Sequence, residues 1–129
     1  MTEKDIRKRA VSEKKKLKKL LIAAGTSEER LKIFEPVLDN VSWMKIKLDE
    51  AREQIKEENI TVEYDNGGGQ RGVRENPMFK GYEALWKTYM SGLSSLISGL
   101  PESKAALIEE SEKPQSMLEL IRAKKSKEA

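Results

Sequence analysis

The sequence predicts an all-α fold: a long antiparallel helical hairpin with a basic N-terminal helix, assembled as a homo-oligomer. Two long segments, residues 33–55 and 78–100, repeat apolar side chains at helical spacing, and a glycine-rich stretch separates them. Positive charge gathers ahead of both. Residues 1–20 hold nine Lys and Arg against three Asp and Glu, although the whole chain of 129 residues carries only +3. The later segment has two apolar stripes, and one hairpin partner covers only one of them, so burial of the other between copies is the simplest resolution.

The elements follow in order. Residues 3–24, EKDIRKRAVSEKKKLKKLLIAA, are rich in Ala, Lys, Glu and Leu, all good helix formers, and Gly25 suits the C-terminal cap. Ile6, Ala10, Leu17, Leu20, Leu21 and Ala24 make its apolar stripe, which is thin over the first dozen residues. Ser27 is the candidate N-cap of the next helix, with Thr26 the alternative, and Glu28 and Glu29 lie at the positive end of its dipole. From there Ile33, Val37, Val41, Met44, Leu48, Ala51 and Ile55 share one face, and Pro36 predicts a kink or break near Phe34. Asn59 and the β-branched run after it end this helix, leaving Ile60 to Tyr64 extended. Asn76–Pro77 is an N-cap followed by an N1 proline, opening a helix that runs to about Gly99 and stops at Leu100–Pro101. Met78, Tyr82, Leu85, Tyr89, Leu93, Leu96 and Leu100 form one of its stripes; Phe79, Trp86, Met90 and Ile97 form the other.

This divides the chain into a basic helix (1–25), a hairpin core (26–101) with a glycine-rich loop (65–76), and a tail (102–129). The tail is polar and expected to be flexible, apart from one amphipathic piece with Met117, Leu118, Leu120 and Ile121 on one face. That piece is a candidate docking segment that orders on binding.

Composition argues against catalysis. The chain has no Cys and no His, which removes thiolate chemistry and both the commonest metal ligand and the commonest general base. Its carboxylates are mixed with lysines on solvated helix faces, and no spaced Asp/Glu set suggests a metal site. The stretch YDNGGGQRGVRENP lacks the Lys-Ser/Thr of a phosphate-binding loop. A G-x-G-x-x-G string can be read from Gly67, but the helix starts well beyond Gly69, so a flexible turn is the expectation. No enzyme activity and no cofactor are expected. Nor does any apolar run approach the roughly 20 residues that span a bilayer, and the charged N-terminus has no signal-peptide core, so a soluble cytoplasmic protein with no membrane partner is expected.

Binding chemistry is better supported. Arg7, Lys8, Arg9, Lys14, Lys15, Lys16, Lys18 and Lys19 are the candidate DNA contacts, acting on phosphates with little sequence preference. Residues 17–34, LKKLLIAAGTSEERLKIF, have helix–turn–helix spacing, although Thr26 stands where such motifs usually place an apolar residue. Trp43, Tyr82, Trp86, Tyr89 and Met90 are the candidate anchors of the oligomer interface, because aromatic and Met side chains dominate interface cores. The competing reading is a helical structural or adaptor protein whose basic helix is only a solvated face.

A family resemblance adds to this. Residues 62–101, VEYDNGGGQRGVRENPMFKGYEALWKTYMSGLSSLISGLP, resemble the small terminase subunits of tailed phages and prophages, where a Gly/Asn/Gln-rich loop often leads into an E-N-P or E-S-P helix start, spaced tyrosines and a closing L-P. Residues 38–55 are similar to their central helix, with Trp43, Met44, Leu48, Asp49 and Glu50 matching its aromatic-Met and Leu-acidic-acidic features. The resemblance implies a ring-forming, non-catalytic subunit of a DNA-packaging motor, located in the host cytoplasm. Its partners would be double-stranded DNA and the large subunit, which holds the ATPase and nuclease.

Overall fold

Local capping sets the helix boundaries. In a computed structural model, which describes residues 1–65 and 71–128, α1 runs Glu3–Ala24 behind a reciprocal capping box between Thr2 and Asp5. Gly25 closes it at φ 109°, a left-handed conformation that a side chain would strain. Ser27 Oγ accepts from the Arg30 amide and starts α2, Glu28–Ile33. Pro36 lies in the first turn of α3, Glu35–Lys56, so the expected break falls at Phe34. Splitting the pattern there takes Ile33 off the apolar face: it is 76% exposed, and Leu31 is buried in its place.

The chain then forms a two-stranded antiparallel ribbon, β1 Thr61–Asp65 and β2 Arg71–Glu75, in the register Thr61↔Glu75 to Asp65↔Arg71. The mostly helical expectation holds, but the loop expected at 65–76 is in large part this ribbon. Residues 66–70, which hold Gly67 and the glycine string read from it, lie outside the described residues. Asn76 ties the ribbon to α4, Pro77–Ile97. It is buried; its Oδ1 accepts from the Met78 amide at 3.0 Å, its Nδ2 donates to the Asn59 carbonyl at 2.9 Å, and its amide donates to the Ile60 carbonyl at 2.8 Å. We expect Asn76→Ala to cost about 1–2 kcal/mol, since it removes a cap and the side-chain donor to the Asn59 carbonyl. Urea unfolding followed by circular dichroism measures this, and a loss near zero would place the cap outside the cooperative unit.

Packing is built on α3. It lies between α1 and α4, antiparallel to both: Glu13 meets Lys45 while Lys18 meets Glu35, and Gly92 meets Val41. A Cβ at Gly92 would sit 2.7 Å from Val41 Cγ2, so the α3–α4 approach depends on that glycine. Leu17 and Leu21 of α1, Leu38, Val41 and Leu48 of α3, and Phe79, Tyr89 and Leu93 of α4 make one continuous core. Small α2 closes one end: the Arg30 guanidinium donates to the carbonyls of Ser95 (3.2 Å) and Ser98 (2.8 Å), capping α4, and stacks on Phe34.

The tail expected to be flexible is instead two helices, α5 Glu102–Glu112 and α6 Met117–Glu128. They bury Ile108, Glu112, Pro114 and Leu120 against the bundle, and Lys124 Nζ donates to the Ile55 and Lys56 carbonyls at the end of α3. The C-terminal segment of the same chain covers the polar tips of the aromatic face of α4.

Candidate nucleic-acid interface and the charge cluster behind it

Residues on α1 with a common spacing face solvent together. Lys8, Lys15 and Lys19 are exposed, with Lys4 and the exposed Val11 and Ile22 on the same stripe, and all lie opposite Ile6, Leu17 and Leu21. None of these lysines has an ion-pair partner among the described residues. Arg9 is also exposed, and exposed Arg7 makes only a long 3.7 Å contact with Glu3.

The other three candidate DNA contacts pair with carboxylates of the same chain. Lys14 bonds to Glu35 and reaches Asp39 at 2.7 Å, and these hydrogen bonds, Asp39's first, raise its pKa. Lys18 lies 3.4 Å from the same Glu35. Lys16 sits 3.1 Å from Glu112, whose hydrogen bond raises the Lys16 pKa. In sequence these lysines are equivalent to their neighbours; the acidic side of α3 and the end of α5 single them out. Of the eight basic residues, six are exposed, Lys16 among them, and Lys14, Lys16 and Lys18 are ion-paired within the chain.

The oligomer anchors divide in a similar way. Tyr82 and Tyr89 are 2% and 1% exposed within one chain, so they need no second copy to be buried. Trp86 and Met90 are half-buried, and only Trp43 remains open, at 47%, with Lys47 over its ring. Thr26, the odd residue of the helix–turn–helix spacing, is buried with a hydroxyl that lacks a partner among the described residues. The six-residue α2 that follows serves to cap α4.

Sequence reading missed the polar cluster behind Lys16. Glu112, at 1% exposure, meets Lys45 Nζ at 2.9 Å through Oε2, and the same ammonium donates to the Glu112 carbonyl at 2.9 Å and lies 3.6 Å from Glu13. The Tyr89 hydroxyl also donates to that carbonyl, at 3.1 Å. The Glu13 and Glu112 carboxyls flank the Lys45 ammonium and lie within bonding reach of each other. Burial, then the neighbouring Glu112 carboxyl, raises the Glu13 carboxyl to about 7 against the pull of Lys45. Burial also works against the Glu112 anion, but Glu13, Lys45 and Lys16 beside it outweigh that and hold its pKa low. The only sequence signal was a glutamate just ahead of a proline, in a segment that looks solvated.

No protein-family model, curated protein or solved structure matches this chain. Among the described residues, no group of three or more acidic side chains is placed to hold a metal ion, and no helix is long and apolar enough to cross a membrane.

Proposed function

We propose that the chain is a small terminase subunit: a non-catalytic, oligomeric, DNA-binding partner of a packaging motor's large subunit, working in the host cytoplasm. The observation that carries the DNA half is the outward lysine stripe of α1. Lys8, Lys15 and Lys19 are exposed and unpaired along about 17 Å of helix, and the acidic side of α3 is turned away and neutralised by Lys14 and Lys18. Cations held in this way meet phosphates with little desolvation or rearrangement. The packaging context rests on the resemblance of residues 38–55 and 62–101.

Changing Lys8, Lys15 and Lys19 to Glu should weaken duplex DNA binding by about 100-fold or more at about 100 mM salt and leave helicity intact, because none of the three touches the core. Lys16 stays unchanged in this variant, since it holds Glu112. Equal binding by the variant and the parent at two salt concentrations would sink the DNA reading. The adaptor reading would then lead; it is favoured by the three lysines already spent within the chain.

A further inference from the structure

Three polar-tipped aromatic residues stand along one face of α4 at spacings of four and three, and each donates to a main-chain carbonyl of the segment linking α5 to α6. The Tyr89 hydroxyl donates to Glu112 at 3.1 Å, the Trp86 indole to Pro114 at 3.0 Å, and the Tyr82 hydroxyl to Gln115 at 2.5 Å. The spacings match. Seven helical residues rise about 10 Å, and three extended residues rise about the same. Lys113, at φ −68° and ψ 115°, is extended as a residue before proline must be, and Pro114 is buried. The Glu112 carboxylate anchors the head of the segment on Lys45 and Lys16.

We propose that Tyr82, Trp86 and Tyr89, with Lys45 and Lys16, form a reading groove for an extended Glu-Lys-Pro-Gln segment, and that the same segment of a second copy fills it when copies join by exchanging C-terminal arms. Recognition runs through carbonyls and one carboxylate, so the groove does not distinguish its own arm from a neighbour's. Any other occupant would have to present a glutamate just ahead of a proline to the same two lysines. The arm is also built to leave. It is joined to α4 through Ser98–Pro101, where Gly99 holds φ 87°, and between that joint and Glu112 only Ala105, Ile108 and Glu109 are covered, while Leu107 is 72% exposed. Exchange remakes every contact. Its cost is that of bringing copies together, so concentration drives it, and one groove plus one arm per copy closes as a pair or, head to tail, as a ring.

This inference rests on the assembly half of the proposed function and is independent of the DNA half. Its test compares the parent with a chain lacking Gly99, by light scattering over the micromolar range. Shortening the joint strains the path back to the chain's own groove and favours exchange. The deletion should tighten association about tenfold or more, whereas Glu112→Ala, which weakens the same contact in the closed and the exchanged forms, should change association far less. Association that the deletion leaves unchanged overturns the exchange but leaves assembly by another surface standing. Monomers throughout overturn both.

A second measurement decides if the deletion variant does not fold. In a full chain carrying Trp43→Phe and Glu112→Ala, Trp86 is the only indole and the chain's own arm is weakened. A synthetic peptide of residues 109–121 should change Trp86 emission saturably, and the same peptide with Glu112→Ala should bind about tenfold more weakly. Failure of the unaltered peptide to saturate, or equal binding of both peptides, overturns the groove.

Discussion

Replacing Lys45 with Met is expected to destabilise the fold by about 3 kcal/mol. Lys45 is largely buried and supplies the main counter-charge to Glu112, along with one of the two side-chain hydrogen bonds to the Glu112 carbonyl. Without it, a carboxylate at 1% exposure depends on the half-exposed Lys16. Removing one partner of a buried pair leaves the desolvation of the other uncompensated, which costs more than the pair itself contributes. The double variant Lys45→Met with Glu112→Leu should therefore recover much of the loss. Chemical denaturation of the parent, both single variants and the double variant measures the coupling. Additive losses would show that the two side chains do not act as a unit.

Stability should fall as pH rises from about 4.5 to about 7. In the folded chain Glu13 keeps its proton to about 7, whereas an unperturbed glutamic acid releases it near 4.5. Between those values the unfolded chain binds fewer protons than the folded one, so each step up in pH favours unfolding; above about 7 the effect is complete and the curve is flat. Glu112 acts with the opposite sign at lower pH. Its depressed folded pKa adds stability that is present above about 4.5 and is lost as pH falls below it. The groups facing the pair are Lys16 from α1, Lys45 from α3 and Tyr89 from α4, with Asp49 further off. Burial raises the Tyr89 phenol well above its ordinary range, so it does not titrate in this window.

The resulting optimum near pH 4.5 should exceed pH 7 by about 2 kcal/mol. Glu13→Gln keeps the size of the side chain and removes the titrating proton. It should flatten the slope between 4.5 and 7 and make the variant more stable than the parent at pH 8. Thermal unfolding of both chains across this range is the check, and parallel curves would rule out titration of Glu13 as the cause. Exchange of amide hydrogens in α5 and α6 should quicken over the same window, because the pair lies between those helices and the bundle.

Caps and breaks were legible because they are local. Gly25, Ser27, the break that Pro36 forces at Phe34, and Asn76–Pro77 all act within about four residues of the ends they define, so residue type and order suffice. The core face of α4 was legible for a related reason: helical spacing puts Tyr82, Tyr89 and Leu93 on one side whatever that side meets. Where the pattern failed, at Ile33, the break had turned one apolar residue away from its neighbours.

By itself, then, the sequence determined the helices between residues 3 and 97, their boundaries and much of their buried faces. Only the tertiary structure decided which lysines of α1 are free, what covers the aromatic face of α4, and that residues 102–128 are held. Lys15 and Lys16 are adjacent and chemically alike, yet one meets solvent and the other Glu112, 96 positions later in the chain. Such a pairing depends on which helix lands beside which. Helical spacing does not encode that, because a buried glutamate with its lysines reads in sequence as one more solvated charge.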